Sequence, residues 1–304
     1  MEFRTVVDIT PSPWKIEPCE RMLFVGSCFA DNMGKRFQTE KFQATVNPYG
    51  VMYNPASILH TVKRLLAEEK MPFKADRQGT AVFTLGTNHV YILKETGEIV
   101  DNCRKRPQRL FEEKELTVDE CAHYIIQAID LIHRHFPLVR FILTVSPIRY
   151  RKYGYHGSQL SKATLLLAID KVVSSNPSKR KDDDTEREHA LGSQSSAPSR
   201  EPEEALGKPI LYFPSYEILN DELRDYRFYK EDMLHPTDQA VEYIYRCMAK
   251  TFFSQATFDF LKAWKPIREA LAHRPFNPDS EEYKAFLKKT KEQEQTLLQQ
   301  YKKE

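Results

Sequence analysis

The stretch Met22-Leu23-Phe24-Val25-Gly26-Ser27-Cys28-Phe29-Ala30-Asp31 constrains the fold more than any other part of the chain. Its four consecutive apolar residues predict a strand buried on both faces, as in a parallel sheet covered by helices. Gly26 then allows a sharp turn without Cβ strain. Ser27 and Cys28 follow at the mouth of the next helix. A strand–turn–helix that presents Ser or Cys at the carboxyl end of a parallel strand is how α/β enzymes expose a nucleophile. The free N–H groups and positive dipole end of such a helix favour an oxyanion or a thiolate. The same residues also read as a plain buried turn with an inert thiol, so the stretch alone assigns no chemistry.

The rest of the chain alternates in the same way. Strands are expected at 22–25, 43–46, 81–85, 140–145 and 209–213, and residues 90–93 continue as extended chain. Helices are expected at 32–40, 55–69, 117–135, 160–173 and from 236 or 237 to 253. Ile58, Val62, Leu65 and Leu66 share one helical face, and Ala122, Ile125, Ile126, Ile129, Ile132 and His133 mark the expected buried stripe of another. Thr117 and Glu120 have capping-box spacing. Strands alternating with helices give βαβ units and a parallel sheet covered on both faces.

With 304 residues, the chain is long enough for one large α/β domain plus appendages. Residues 174–208 are rich in Ser, Pro, Lys, Asp and Glu and almost devoid of apolar side chains. Burial there cannot offset the entropy of ordering, so this block reads as a disordered insertion. Residues 279–304, rich in Lys, Glu and Gln, read as a solvated, appended helix. The expected organisation is an α/β domain over 1–255, interrupted at 174–208, and a charged helical extension over 256–304.

Lys and Arg number 45 against 43 Asp and Glu, a net charge of +2 with both signs mixed. That balance argues against nucleic-acid or anionic-membrane partners. The five Cys are odd in number and lack a CxxC pair. No apolar leader precedes them, so they read as reduced thiols of a cytoplasmic protein. No run of apolar residues reaches membrane-spanning length. No His/Cys/Asp spacing matches a metal site, and neither a metal nor a cofactor is expected.

A nucleophile at Ser27 or Cys28 needs a base. Asp232-Met233-Leu234-His235-Pro236 places a carboxylate three residues before an imidazole. At that spacing Asp232 can accept from one ring nitrogen, leaving the other to take the nucleophile's proton. Two oxyanion donors are candidates: the backbone N–H of Gly50 after the second strand, and the side-chain amide of Asn88 after the third. His156 is placed to line the pocket. Lys162 is either a substrate anchor or an exposed residue of its helix.

In their order along the chain, these residues resemble a known family. Gly26-Ser27-Cys28-Phe29-Ala30 is the name-giving motif of the GSCFA family, placed in the SGNH (GDSL-like) hydrolase superfamily. The resemblance continues through Asn47-Pro48-Tyr49-Gly50 with Tyr53-Asn54-Pro55, then Gly86-Thr87 and Thr96-Gly97-Glu98. It runs on through Thr144-Val145-Ser146-Pro147, His156 with Leu160-Ser161-Lys162, and Phe213-Pro214-Ser215-Tyr216-Glu217. Asp225-Tyr226-Arg227-Phe228-Tyr229 then leads into Asp232, His235 and Pro236. The resemblance implies a flavodoxin-like three-layer α/β/α sandwich, ester or acyl-transfer chemistry, and Asn54, His156 and Lys162 as substrate contacts. The superfamily's Gly-Asp-Ser-Leu aligns without gaps on Gly26-Ser27-Cys28-Phe29. That register makes Cys28 the nucleophile of a Cys-His-Asp triad; the superfamily's use of serine keeps Ser27 open. The segment between Leu66 and Val82 is short for the family, and the 174–208 block looks inserted.

Three functions follow from this reading. One is an acyl hydrolase or acyltransferase acting on an O-acyl ester, small-molecule or carbohydrate-linked, with an acyl-thioester as the donor in the transfer case. The second is a catalytically idle ligand-binding module of the same fold. The third is a scaffold acting through the charged insertion and C-terminal helix.

Overall fold

The computed structural model describes residues 5–101, 106–175 and 209–301. From position 176 onward, the expected insertion at 174–208 lies outside the described residues; Ser174 and Ser175 close a helix.

Apolar runs that are buried on both faces form the central sheet. Its strands are β1 (Arg21–Gly26), β2 (Gln43–Val46), β3 (Gly79–Leu85), β7 (Val139–Val145) and β8 (Ile210–Tyr212), all parallel, in the order β2-β1-β3-β7-β8. Parallel neighbours need crossovers, and helices supply them. Side chains alternate across the pleat. Leu23, Val25, Phe83, Phe141 and Leu143 pack on one face beneath α2 (Pro55–Ala67), α3 (Val118–His135) and α4 (Gly154–Ser174). Met22, Phe24, Val82 and Ile142 pack on the other, beneath α1 (Cys28–Thr39) and α5 (Asp238–Phe252). The fold class is thus α/β, with a parallel sheet between two helical layers.

Helix α3 starts where the sequence expects it. Thr117 Oγ1 accepts from Glu120 N at 3.2 Å, and Glu120 Oε2 accepts from Thr117 N at 2.8 Å. At the amino ends of the strands, buried Glu20 accepts from Arg140 Nη2 and from Thr80 Oγ1, each at 2.6 Å.

Two regions differ from expectation. Residues 90–93 do not merely extend β3. They belong to β4 (His89–Leu93), the middle strand of a separate antiparallel sheet with β5 (Glu98–Val100) and β6 (Phe111–Glu115). Strand β6 reads Phe-Glu-Glu-Lys-Glu and exposes its four charged residues, so it carries no apolar alternation to detect. Those charges also keep a sheet edge from pairing with other chains.

The C-terminal helices are not merely solvated. Helices α6 (Gln255–Ala272) and α7 (Glu281–Tyr301) bury Phe260, Trp264 and Leu297 against Cys19. Trp264 Nε1 donates to Thr39 O at 2.9 Å, closing the carbonyl end of α1. Arg268 pairs with Glu40, and Lys41 pairs with Glu294 at 2.6 Å. No described helix is long and apolar enough to cross a membrane.

Candidate functional site

The site lies where α/β sheets bind ligands, in the crevice beyond the carboxyl ends of the strands. Strand β1 ends on Gly26, whose φ is +149°. A Cβ there would collide with the carbonyl oxygen of Thr84 on β3, so only glycine lets the two strands run side by side into the turn. Asn47 clamps that turn: its Oδ1 accepts from Gly26 N at 2.8 Å, and its Nδ2 donates to Asp31 Oδ1 at 2.7 Å.

Ser27 and Cys28 then part company. Ser27 is fully buried and is the N-cap of α1. Its Oγ accepts from Phe29 N at 3.2 Å and donates to Ser146 Oγ at 2.8 Å. Both capacities of the hydroxyl are thereby used inside the fold. Cys28 is the first residue of the helix and is partly exposed. Its Sγ lies 3.9 Å from Tyr53 Oη. Its backbone N–H, first in the helix, has no intrahelical acceptor and sits at the positive end of the dipole.

Asp232 and His235 form a pair. Asp232 Oδ2 lies 2.6 Å from His235 Nδ1. Asp232 Oδ1 accepts from Leu234 N at 2.8 Å and His235 N at 3.0 Å. These two backbone N–H groups, together with the imidazole, hold the carboxyl down to about 2, below its ordinary range. The loop is pinned at its base, where Lys230 N donates to His235 O at 2.8 Å and Thr237 N to Phe228 O at 2.8 Å. With Nδ1 held by the carboxylate, Nε2 is the nitrogen left for proton transfer.

The other sequence candidates stand elsewhere or are already engaged. Gly50 closes the turn that begins at Asn47: its N–H donates to Asn47 O at 2.8 Å, so it is not a free oxyanion donor. Asn88 is buried, and its Nδ2 donates to Leu116 O at 2.8 Å, tying β4 to the start of α3. One hydrogen of its amide thus braces the loop. Asn54 is the N-cap of α2, with Oδ1 accepting from Ser57 N at 2.9 Å. His156 is exposed in the first turn of α4. Lys162 is not an exposed residue of its helix. It is 2% exposed, and its Nζ donates to Gly86 O at 2.7 Å and Ser146 O at 2.8 Å. It bridges the carboxyl ends of β3 and β7, and burial draws its pKa down to about 7.

Two tyrosines that sequence reading passed over join these parts. Tyr53 O accepts from Gly86 N at 2.8 Å and Thr87 N at 2.9 Å, fastening the β2–α2 loop to the end of β3. The Tyr53 ring meets Tyr150 edge-on, with centroids 5.8 Å apart. A Cβ on Gly86 would strike Tyr150 Oη, so glycine there makes room for that ring. Next to Tyr150, Arg149 N donates to Leu234 O at 3.1 Å, and Arg149 Nη1 to Met233 O at 3.2 Å. A continuous run of contacts thus leads from Cys28 through Tyr53, Tyr150 and Arg149 to the loop of Asp232 and His235. Among the described residues no hydrogen bond joins Cys28 Sγ to His235 directly. The motif Tyr53-Asn54-Pro55 was the available signal for Tyr53; nothing local marked Tyr150. Among the described residues no group of three or more His, Cys, Asp or Glu is placed to hold a metal ion.

The sequence model of the GSCFA family matches residues 21–79, 70–182 and 201–248. That of the GSCFA domain protein, C-terminal domain, matches residues 264–303. The chain belongs to the GSCFA family. No curated protein matches it. Among solved structures, a Streptococcus pneumonia protein provisionally described as a platelet activating factor is 16% identical, with a TM-score of 0.39, over 77% of this chain and 84% of that one. A carbohydrate esterase family 3 protein from Talaromyces cellulolyticus is 8% identical, with a TM-score of 0.35, over 79% of this chain and 98% of that one.

Proposed function

We propose that this member of the GSCFA family is an acyl hydrolase or acyltransferase of the SGNH type, acting on an O-acyl ester through Cys28, His235 and Asp232. The observation that carries the reading is the Asp232–His235 pair, 2.6 Å apart on a loop after the last strand of the sheet. Two backbone N–H groups hold one carboxylate oxygen in place, and the other oxygen can fix one imidazole tautomer. The strand order β2-β1-β3-β7-β8 reverses direction between β1 and β3, and the turn after β1 lies at that switch point, where such sheets bind ligands. Cys28 is favoured over Ser27 because the serine hydroxyl is spent on the cap and on Ser146.

In this mechanism His235 Nε2 takes the Cys28 thiol proton as sulfur attacks the ester carbonyl. The free N–H of Cys28 at the helix mouth stabilises the oxyanion. Collapse expels the alcohol, which takes the proton from His235. Water or an acceptor alcohol then attacks the thioester, with His235 again as base. The substrate class is an O-acyl ester, free or carbohydrate-linked.

The test is a stopped-flow burst of p-nitrophenolate from p-nitrophenyl acetate, with mass mapping of the acetylated peptide. An acetyl group on Cys28, absent from Cys28→Ala and slowed in His235→Ala, is the expected result. An unmodified Cys28, or an acetyl group on Ser27, rejects the assignment. One observation favours the idle binding module instead: no hydrogen bond joins Cys28 to His235. Catalytic hydrogen bonds are often long without substrate, so the enzymatic reading is preferred. Absence of any burst would favour the binding module.

A further inference from the structure

We propose that the Tyr53 hydroxyl is a catalytic oxyanion donor in this site, taking the place that sequence reading gave to Gly50 and Asn88. The inference rests on the Cys28 acyl-transfer reading and deepens it.

Both expected donors already serve the fold: the Gly50 N–H donates to Asn47 O, and the Asn88 amide gives one of its two hydrogens to Leu116 O. An acyl-transfer site with only the Cys28 N–H would hold its tetrahedral intermediate through one donor, whereas such sites generally converge two or more. Tyr53 supplies the second. Its Oη lies 3.9 Å from Cys28 Sγ, and Cys28 is its hydrogen-bonding neighbour. The oxygen of an acyl group bonded to Sγ lies closer to sulfur than that. A donor at this separation comes within about 3 Å of the oxyanion when the acyl oxygen lies on the Tyr53 side of the sulfur, the range such donors need.

Its placement is fixed from three sides. The Tyr53 carbonyl is anchored by Gly86 N and Thr87 N, its ring abuts Tyr150, and the next residue, Asn54, caps α2. A donor held this way costs little reorganisation when charge develops. The proton is also secure: burial, with Cys28 beside it, pushes the Tyr53 phenol up to about 12, so the group stays a donor at neutral pH.

The step balances without a further reactant. The Cys28 sulfur forms a bond to the ester carbonyl carbon as its proton passes to His235. The carbonyl π pair settles on oxygen, which accepts hydrogen bonds from Tyr53 Oη–H and Cys28 N–H. Tyr53 transfers no proton. The pair then returns, the ester C–O bond breaks, and the leaving alkoxide takes the proton from His235.

The test compares two reactions of the same thiol in Tyr53→Phe, which keeps the ring against Tyr150. Acylation by p-nitrophenyl acetate forms an oxyanion; alkylation by iodoacetamide, a displacement at saturated carbon, does not. The acylation rate should fall about a hundredfold, the loss typical of one removed oxyanion donor. The rate of Cys28 alkylation should stay within about twofold of wild type, a readout that also reports an intact site. An unchanged acylation rate overturns the role. So does a parallel fall in both rates, which would place Tyr53 in activating the thiol or holding the fold. Cys28→Ala keeps the two readings apart: a burst that survives it rejects Cys28 as nucleophile whatever Tyr53 does. Loss of the burst in Cys28→Ala with full activity in Tyr53→Phe rejects only the oxyanion role.

Discussion

Ser27 Oγ donates to Ser146 Oγ at 2.8 Å, and this bond separates two adjacent residues into different tasks. It joins the turn after β1 to the end of β7, across the top of β3. The serine side chain becomes part of the frame, and the cysteine beside it is left in the crevice.

Ser27→Ala should therefore behave as a stability variant. It removes an N-cap and strips a fully buried hydroxyl of a partner, at a combined cost of about 1–3 kcal/mol. Iodoacetamide labelling of Cys28 should be nearly unchanged, and Cys28 should label ahead of buried Cys19 and Cys121. Urea denaturation and peptide mass mapping read the two effects. A variant of wild-type stability, or one that loses Cys28 labelling while folded, would contradict this division.

His235→Ala and Asp232→Asn should each lower kcat for ester turnover by about a hundredfold or more, with the fold intact. In the asparagine variant the amide can present an N–H to Nδ1 and set the wrong tautomer. The Asp232 carboxyl is held at about 2, so folding keeps it ionised. Because the folded value lies below the unfolded one, the pair's contribution is complete above about pH 4 and fades only as pH falls toward 2. Asp232 should thus add no step to the pH–rate profile between pH 4 and 9. An activity step in that window that persists in His235→Ala and vanishes in Asp232→Asn would refute this assignment.

Much of the frame was legible in the sequence because burial leaves a pattern. The run Met22-Leu23-Phe24-Val25, stopped by Gly26, reads as a strand covered on both sides, and the spacing of Ala122, Ile125, Ile129 and Ile132 reads as the packed face of a helix. Strand β6 was illegible, since an exposed charged edge has no such pattern. The Asp232–His235 pair was readable because its three-residue spacing is local. The partner of the Asn88 amide was not readable, because which acceptor takes an N–H depends on residues far along the chain, such as Leu116. Lys162 reads as a surface residue in composition, yet two strand-end carbonyls draw it inside. Tyr150 becomes part of the site only because Gly86, more than sixty residues away, leaves room for its hydroxyl.

Trp264→Ala should destabilise the whole domain, not merely loosen a tail. The indole is buried, and Nε1 closes the carbonyl end of α1 at Thr39. Removing it opens a large cavity and orphans that contact, at a cost of about 3–5 kcal/mol. A single cooperative unfolding transition shifted to lower temperature is expected by calorimetry. Loss of α6 and α7 as a separate early transition, with the main one unmoved, would show instead that these helices are independent of the sheet.

Lys162 should make stability depend on pH with an unusual sign. Its ammonium is enclosed at the junction of β3 and β7, donating to Gly86 O and Ser146 O with the Tyr150 and Tyr216 rings nearby. Burial lowers its folded pKa to about 7, whereas an unfolded lysine holds its proton to about 10.4. Between those values the unfolded chain binds more protons than the folded one, so unfolding takes up a proton and rising pH favours the fold. Below about pH 7 both states are protonated and the dependence disappears. Lys162→Met keeps the volume and removes the titration. The difference in unfolding free energy, wild type minus variant, should be flat below pH 7. It should then climb in favour of wild type by up to about 1.4 kcal/mol per pH unit toward pH 10. Urea titrations at intervals from pH 6 to 10 measure that difference directly, and groups common to both proteins cancel. Parallel curves across the range would mean that Lys162 keeps its proton in the folded state, and that the two carbonyls stabilise its charge enough to offset burial.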